Sequence, residues 1–234
     1  MSQFVLGRAK AQMVKAMEEY YNAIQVNVQF SGSHLKVITV TSVQPGEGKS
    51  TTSTNLAISF ANSGYRTLLI DADFRNSVMT GTFKTEEAYH GLVSYLSGHV
   101  DLNSVIHDTS VNNLSLIPAG QVPPNPTTLL QNTRFDAMIE QFRRQYDYVI
   151  IDTPPIGLVV DAAIVAQKTD GSILVTESGA ISRRFVKKAV EQMEQSGAQF
   201  LGVILNKVDT TKERYGSYGS YGAYGNYGKQ PDTD

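Results

Sequence analysis

The sequence predicts an α/β fold in which helices cover both faces of a doubly wound, mostly parallel sheet. Six short apolar runs lack polar–apolar alternation, as expected for strands that are buried on both faces. Amphipathic segments separate most of these runs, and strands that alternate with helices form parallel sheets. Ligands bind such sheets beyond the carboxyl ends of the strands, so functional residues are expected there.

The individual elements follow from apolar runs and from apolar residues at helical spacing. The predicted strands are 36–41, 66–73, 113–120, 147–152, 171–178 and 200–207. The predicted helices are 7–25, 52–64, 133–146 and 182–196. These elements divide the chain into an N-terminal helical segment (1–34), a central domain (35–209) and a C-terminal segment (210–234).

Composition excludes several classes of function. With 234 residues and 41% apolar side chains, the chain is long enough for one large domain with a real core. A net charge of −2 gives no sign of bulk binding to nucleic acid or anionic lipid. The lack of cysteine removes disulfide and thiolate chemistry, and no apolar run approaches the ~18 residues of a membrane span. We therefore expect a cytoplasmic protein that binds no nucleic acid.

A glycine-bearing turn joins the first predicted strand to the next helix. In PGEGKST (45–51), Gly48, Lys49 and Ser50 open the helix, which is the arrangement of a phosphate-binding P-loop. Its N–H groups and the helix dipole would hold an anion, with Lys49 on the phosphates and Ser50 toward Mg²⁺. We expect Lys49 to bind the ligand and to have no role in the hydrophobic core. Val43 stands where such loops usually begin with glycine. The predicted nucleotide-binding residues of the loop are Pro45, Gly46, Glu47, Gly48, Lys49, Ser50 and Thr51.

Carboxylates follow the second and fourth predicted strands. LLIDADFR (68–75) contains Asp71 and Asp73, and VIIDTPP (149–155) contains Asp152. Nucleotide enzymes place a carboxylate at the position of Asp152 to hold the hydration shell of magnesium. Three carboxylates beside one phosphate loop would repel each other unless a cation lay among them. The sequence therefore predicts a cation at this edge of the sheet.

The last predicted strand ends in LNKVD (205–209), where Asn206 has two interpretations. The pattern Asn-Lys-x-Asp resembles the guanine-reading element of GTPases, which favours contact between Asn206 and a nucleotide base without deciding which base. Alternatively, Asn206 only ends the strand and Asp209 solvates a loop.

Tyrosines recur at every third position of the C-terminal segment. They are Tyr215, Tyr218, Tyr221, Tyr224 and Tyr227. The intervening glycines predict a flexible coil in which each phenol is accessible. Tyr215 lies nine residues after Asn206 and Tyr227 lies 21 after it, and such a coil spans roughly 16–25 Å. The tyrosines can therefore reach the phosphate loop of their own subunit or of a neighbour.

Together these motifs resemble the bacterial tyrosine kinases of capsule and exopolysaccharide gene clusters. PGEGKST, LLIDADFR and VIIDTPP resemble the three nucleotide-binding motifs of that family, and the tyrosine cluster completes the pattern. The resemblance covers about 19–227 and fits the short form of the family, whose membrane-spanning activator is a separate polypeptide. It implies a P-loop nucleotide-binding fold, ATP with Mg²⁺, and autophosphorylation of the tyrosine cluster.

The resemblance also implies roles for individual residues. Lys49 would hold the phosphates, while Ser50 and Asp152 would organise Mg²⁺. Asp71 would orient and deprotonate the acceptor hydroxyl, and Asp73 would contact the metal or its waters. ATP, rather than a guanine nucleotide, would be the ligand near Asn206.

Partners follow from the same resemblance. They are a membrane-spanning activator of the polysaccharide co-polymerase type, further copies in a homo-oligomer, and an antagonistic phosphotyrosine phosphatase. Independently of the resemblance, the first tyrosines of the C-terminal segment have the least slack, which favours phosphorylation between subunits over phosphorylation within one subunit. The activator would recruit the protein to the inner face of the membrane. The family often carries E-x-x-R-x-x-R for subunit contacts, but here Asn22 and Gln25 follow Glu19 in place of the arginines. Other contacts, such as exposed tyrosines of this helix, would then have to hold the oligomer.

Two other interpretations fit parts of the sequence. A partition or division-site ATPase shares the predicted fold, but its signature lysine would stand where this chain has Gln44. A low-complexity binding module would account for the C-terminal segment but leaves the phosphate loop unexplained.

Overall fold

The computed structural model describes residues 3–209 as a sheet covered by helices. The strands are β1 (Val5–Leu6), β2 (Val37–Ser42), β3 (Thr67–Asp71), β4 (Phe83–Lys84), β5 (His107–Asp108), β6 (Leu114–Ile117), β7 (Tyr148–Asp152), β8 (Gly171–Glu177) and β9 (Gln199–Asn206). The helices are α1 (Arg8–Ala16), α2 (Glu18–Ser31), α3 (Lys49–Asn62), α4 (Met79–Thr82), α5 (Leu92–Leu96), α6 (Pro126–Leu130), α7 (Thr133–Gln145), α8 (Asp161–Ala166) and α9 (Arg183–Glu194), with a 3-10 turn at Leu102–Val105.

Seven strands form the central sheet in the order β5-β6-β3-β7-β2-β8-β9. Neighbours are parallel except for the short antiparallel pair β5–β6. The register pairs Asp71 of β3 with Asp152 of β7. The predicted doubly wound, mostly parallel sheet is thus confirmed, and its carboxyl edge collects the polar strand ends.

Both faces of the sheet are buried because successive strand residues point to opposite sides. On β3, Leu68 and Ile70 join one core with α5 and α7, whereas Leu69 joins a second core with α2 and α3. A third cluster packs Leu174 of β8 against α8 and α9. The strands are apolar throughout because helices cover the sheet on both faces.

The six predicted strands are confirmed, but the N-terminal helix is not continuous. The prediction of one helix over 7–25 is wrong, because α1 and α2 meet at Met17 and α2 extends to Ser31. The break lets α2 pack against α3 with Tyr21, Gln25 and Val28 buried, while α1 buries no residue fully. Tyr21 is therefore not among the exposed tyrosines expected on this helix, whereas Tyr20 is exposed.

Helices too short to show a period escaped the prediction, among them α5, α6 and α8. Within residues 3–209, no helix is long and apolar enough to cross a membrane.

The loop after β6 is held against the start of α5 by a close approach of two glycines. The N–H groups of Leu92 and Val93 donate to the carbonyls of Pro118 and Ala119, at 2.8 and 3.0 Å. A Cβ at Gly91 would lie 2.4 Å from the Cα of Gly120. This contact fixes where the chain departs from β6 toward α6 and the site described below.

We expect Gly91→Ala to lower the free energy of unfolding by about 1–3 kcal/mol, because the added methyl group meets backbone and the loop must shift. Urea unfolding followed by circular dichroism measures the loss. Gly81→Ala is the matched control, since a Cβ at Gly81 meets no atom within 4 Å. Equal stabilities of the two variants would contradict the importance of this contact.

Candidate active site

The phosphate loop occupies the six residues between β2 and α3. Gly48 has a left-handed conformation with φ of 94°, and a Cβ there would lie 2.1 Å from Nδ2 of Asn206. Glycine is required at this position on both counts. Val43, at the usual first glycine, packs into the third core cluster instead. The loop therefore turns directly into the N-terminus of α3, where backbone N–H groups favour an anion.

The side chain of Glu47 braces the loop from behind instead of facing a ligand. Glu47 is buried, and its carboxylate accepts from the N–H of Gln44 at 2.6 Å. It also accepts from the hydroxyl of Thr176 at 2.9 Å and from the N–H of Glu177 at 3.1 Å. The end of β8 thus fixes the shape of the loop.

The end of β9 braces the same loop. Nδ2 of Asn206 donates to the carbonyl of Glu47 at 2.9 Å, and Nζ of Lys207 donates to the carbonyl of Gly46 at 2.8 Å. Lys207 also pairs with Glu177 at 2.7 Å. Asn206 therefore contacts the loop backbone, and its contact with a nucleotide base stays a prediction.

Lys49 lies among the predicted carboxylates. Its Nζ is 2.7 Å from Asp73 and 3.3 Å from Asp152, and it donates to the hydroxyl of Ser50 at 3.1 Å. Burial disfavours the ammonium, but the charges of Asp152 and Asp73 outweigh this and raise the pKa of Lys49. Without a ligand, Lys49 thus neutralises buried carboxylates, and its role toward a ligand stays a prediction.

Asp71 is the most enclosed acid of the site. It is fully buried, Oδ2 accepts from the hydroxyl of Ser77 at 2.5 Å, and Oδ1 accepts from the N–H of Asp73 at 3.1 Å. Burial and the nearby charge of Asp152 raise the pKa of Asp71 to about 7. A phenol could meet Oδ2 of Asp71 only after Ser77 moved aside.

Asp152 is held by two hydroxyls of α3. Ser50 donates to its Oδ2 at 2.6 Å and Ser53 to its Oδ1 at 3.0 Å. Burial raises the pKa of Asp152, with a smaller contribution from the charge of Asp73, although Lys49 and these hydroxyls act in the opposite direction. Ser53 was missed by the sequence prediction, although it lies one turn after Lys49 on the same helix.

The oxygens of Ser50, Asp73 and Asp152 are suited to Mg²⁺, which prefers such hard donors. Lys49 contacts all three side chains, so one cation already lies where they converge. Across the described residues, no three His, Cys, Asp or Glu side chains could hold a metal by themselves. Magnesium bound with phosphates needs only one or two carboxylates, so the donor set fits.

An open cavity of about 320 Å³ lies in front of the loop. Six of the predicted nucleotide-binding residues line it, namely Pro45, Gly46, Gly48, Lys49, Ser50 and Thr51. Asp73 and Arg75 form another part of the wall, and Pro155 and Leu158 give it apolar surface. The five tyrosines of the C-terminal segment lie outside the described residues.

This site and sheet define a P-loop protein of the α/β class, and comparison with known proteins narrows the class. A family model described as an AAA domain matches residues 35–199. The tyrosine-protein kinase CpsD of Streptococcus agalactiae serotype III (strain NEM316) is 59% identical over 208 residues, covering 89% of this chain and 90% of the relative. The kinase domain of the Escherichia coli tyrosine kinase ETK superposes with a TM-score of 0.80 at 34% identity, covering 86% of this chain and 80% of that one.

The chain belongs to the bacterial tyrosine kinase family that includes the CpsD proteins, and the P-loop fold implies nucleotide binding. The septum site-determining protein MinD of Pyrococcus horikoshii is 24% identical, with a TM-score of 0.62 over 73% of this chain and 70% of that one. That likeness shows the fold alone and does not favour a division-site ATPase.

We expect Asp71→Asn to stabilise the protein increasingly as pH rises, when nucleotide and metal are absent. The pKa of Asp71 rises from 3.8 to about 7 on folding, so between these values the folded state binds the proton more tightly than the unfolded state. The contribution of Asp71 to wild-type stability therefore falls as pH increases through this window, whereas asparagine carries no charge. The advantage of the variant should grow by up to about 3 kcal/mol between about pH 5 and pH 8.

Urea unfolding with a chelator present measures this difference at each pH. Glu86→Gln removes an exposed carboxylate and is the control, for which we expect no comparable trend. An advantage of Asp71→Asn that does not change with pH would contradict the buried, proton-binding carboxyl.

Proposed function

We propose that this protein transfers the γ-phosphoryl group of ATP to the tyrosines of its own C-terminal segment, mainly between subunits. One structural observation supports this proposal in addition to family membership. The last strand ends beside the phosphate loop, where the side-chain amide of Asn206 donates a hydrogen bond to the backbone carbonyl of Glu47. The tyrosine cluster begins nine residues after Asn206. The last described strand therefore ends at the edge of the site that would hold the donor, nine residues before the first acceptor.

The phosphates of ATP would lie on the loop at the start of α3, where Lys49 is the available cation. Lys49 can leave Asp73 and Asp152 for the phosphates only if the carboxylates are neutralised in another way. Bound Mg²⁺ would supply that neutralisation and withdraw charge from the γ-phosphoryl group. Ser50, Asp73 and Asp152 are the residues that would hold it.

Asp71 would accept the proton of the acceptor phenol once the hydroxyl of Ser77 is displaced from Oδ2. The phenolate oxygen then forms a bond to the γ-phosphorus, while the bond from that phosphorus to the β–γ bridging oxygen breaks and ADP leaves. A carboxyl with a raised pKa is a better proton acceptor near neutral pH than an ordinary aspartate. Alignment and charge neutralisation contribute most of the remaining rate.

The proposed reaction also suggests a role for the protein in the cell. The protein would act as a homo-oligomer at the inner face of the membrane, recruited there by a membrane-spanning activator, with a phosphotyrosine phosphatase reversing the reaction. Each phosphate adds about −1.5 to −2 charges, so phosphorylated segments packed together repel. Cycling between the two states would regulate the polymerisation and export of capsular polysaccharide or exopolysaccharide.

Asn22 and Gln25 are not free to take the subunit-contact role of the arginines found in the family motif. The hydroxyl of Ser59 on α3 lies 2.7 Å from Oδ1 of Asn22 and 2.7 Å from Oε1 of Gln25, and it donates its one hydrogen to one of these two oxygens. Gln25 is also buried. Subunit contacts of this chain would therefore use exposed residues of α2, such as Tyr20 and Phe30.

Asp71→Asn and Asp152→Asn should affect different kinetic quantities. Loss of the proton acceptor should lower kcat by about 10²-fold or more with little change in the dissociation constant of ATP. Loss of the Asp152 carboxylate should weaken Mg²⁺-dependent ATP binding instead. Calorimetric titration with ATP, with and without Mg²⁺, measures the affinity of each variant, and a turnover assay measures kcat. Equal losses of ATP affinity in the two variants would show that these roles are misassigned.

The function is tested by incubating the protein with labelled ATP, Mg²⁺ and the cytoplasmic segment of its activator. We expect alkali-stable phosphate on the tyrosine cluster, and none when all five tyrosines are phenylalanine. A mixture of Lys49→Met protein with an active protein truncated after residue 209 tests transfer between subunits. The segment of the Lys49→Met protein should become labelled. Where circular dichroism shows that this variant is folded, an unlabelled segment would exclude such transfer.

A further inference from the structure

A buried carboxylate joins three connections between strands at the edge of the cavity. Asp161, the first residue of α8, is 1% exposed. Its Oδ2 accepts from Nε of Arg75 at 2.9 Å, and its Oδ1 accepts from the hydroxyl of Thr127 at 2.7 Å. Nη2 of Arg75 also donates to the hydroxyl of Thr127 at 3.1 Å. We refer to Arg75, Thr127 and Asp161 as the loop clamp.

The three residues of the loop clamp come from connections that follow adjacent strands. Arg75 follows β3, Thr127 lies in α6 after β6, and Asp161 follows β7, and the sheet order places β3 between β6 and β7. Each connection leaves the carboxyl edge of the sheet separately. The loop clamp ties them together on the outer side of the site.

The connection after β3 is thereby fixed on two sides. On its inner side, the N–H of Asn76 donates to Oδ1 of Asp73 at 3.0 Å, and Ser77 donates to Asp71. On its outer side, Arg75 reaches across to Asp161. Asp73, which pairs with Lys49, lies two residues before this outer attachment. A shift at Arg75 would therefore disturb Asp73 in the connection and, through Ser77, Asp71 at the end of β3.

The burial of Asp161 distinguishes this pair from an ordinary surface ion pair. A carboxylate that is 1% exposed is costly to leave without its cation. By contrast, Arg66 and Asp147 form a longer contact of 3.8 Å with side chains 68% and 44% exposed, and such pairs contribute little. The Arg66 pair is thus a suitable control outside the site.

We infer that Arg75, Thr127 and Asp161 are positioning residues, which hold the connection after β3 so that Asp71 and Asp73 keep their places beside Lys49 during phosphoryl transfer. The inference rests on the proposed function for its kinetic consequence. The residues act through the two aspartates and not on the nucleotide. Loss of the loop clamp should therefore lower turnover more than nucleotide affinity.

Arg75 also lines the cavity, so a direct contact between its guanidinium and a phosphate is the competing explanation. The two explanations differ in what Asp161 and Thr127 should do. If Arg75 acts by position, weakening either partner reproduces part of the Arg75 defect, and the double variant loses no more than the worse single variant. If Arg75 acts on phosphate directly, Thr127 is dispensable.

The experiment uses the full chain with the activator segment, ATP and Mg²⁺. The variants are Arg75→Met, Asp161→Asn, Thr127→Val and the double variant Arg75→Met/Asp161→Asn. They are compared with the wild type and with the control Arg66→Met. We expect kcat for phosphotyrosine formation to fall about tenfold in Arg75→Met and Asp161→Asn, and less in Thr127→Val. The dissociation constant of a fluorescent ATP analogue should change by no more than about twofold. Arg75→Lys should recover part of the loss, and Arg66→Met should match the wild type.

Hydrogen exchange of the nucleotide-free proteins supplies a readout independent of catalysis. Amides of 73–78 should exchange faster in the loop-clamp variants than in the wild type or Arg66→Met. Normal exchange and normal kcat in Asp161→Asn and Thr127→Val, with only Arg75→Met impaired, would overturn the inference in favour of direct phosphate contact. A wild type that forms no phosphotyrosine would refute the proposed function, while the exchange data would still decide whether the loop clamp holds the connection.

Discussion

The neutralisation of buried acids by Lys49 is the constraint on which the rest of the site depends. The pairing of β3 with β7 brings Asp71 beside Asp152, and Asp73 follows two residues later. Like charges this close, removed from water, stay ionised only if a cation lies among them. Lys49 meets part of that need, at 2.7 Å from Asp73 and 3.3 Å from Asp152. Because Lys49 is also the first residue of α3, the same contact fixes the helix whose N-terminus would receive phosphate.

This arrangement connects stability with function in one set of side chains. A single ammonium cannot neutralise three carboxylates, and burial raises the pKa of Asp71 and of Asp152. The site therefore favours protons or an added cation, which is the property that a Mg²⁺-nucleotide site needs. The same deficit of positive charge prepares Asp71 to take a proton near neutral pH. Without a ligand, the residues suited to the proposed reaction therefore lower the stability of the folded protein.

The loop and the acids are held by parts of the chain that lie far away in sequence. Glu47, Asn206 and Lys207 brace the loop from the ends of β8 and β9, and the end of β9 also leads into the tyrosine segment. On the opposite side of the cavity, Asp161 ties the connection after β3 to the loops after β6 and β7. The site is therefore preorganised from outside, which is the condition for precise alignment in phosphoryl transfer.

The class of fold, the six strands with apolar runs, the phosphate loop and the identity of the three carboxylates could be predicted from the amino-acid sequence. They could be predicted because doubly buried strands are apolar throughout and because a strand, a glycine turn and a Gly-Lys-Ser start of a helix have few other uses. Three features could not be predicted in this way: Glu47 faces inward, Ser77 covers Asp71, and Arg75 contacts Asp161 across 86 residues of chain. The break between α1 and α2, which lets α2 pack on α3, could not be predicted either. These outcomes depend on contacts between distant segments, which leave no local pattern of hydrophobicity or spacing to find.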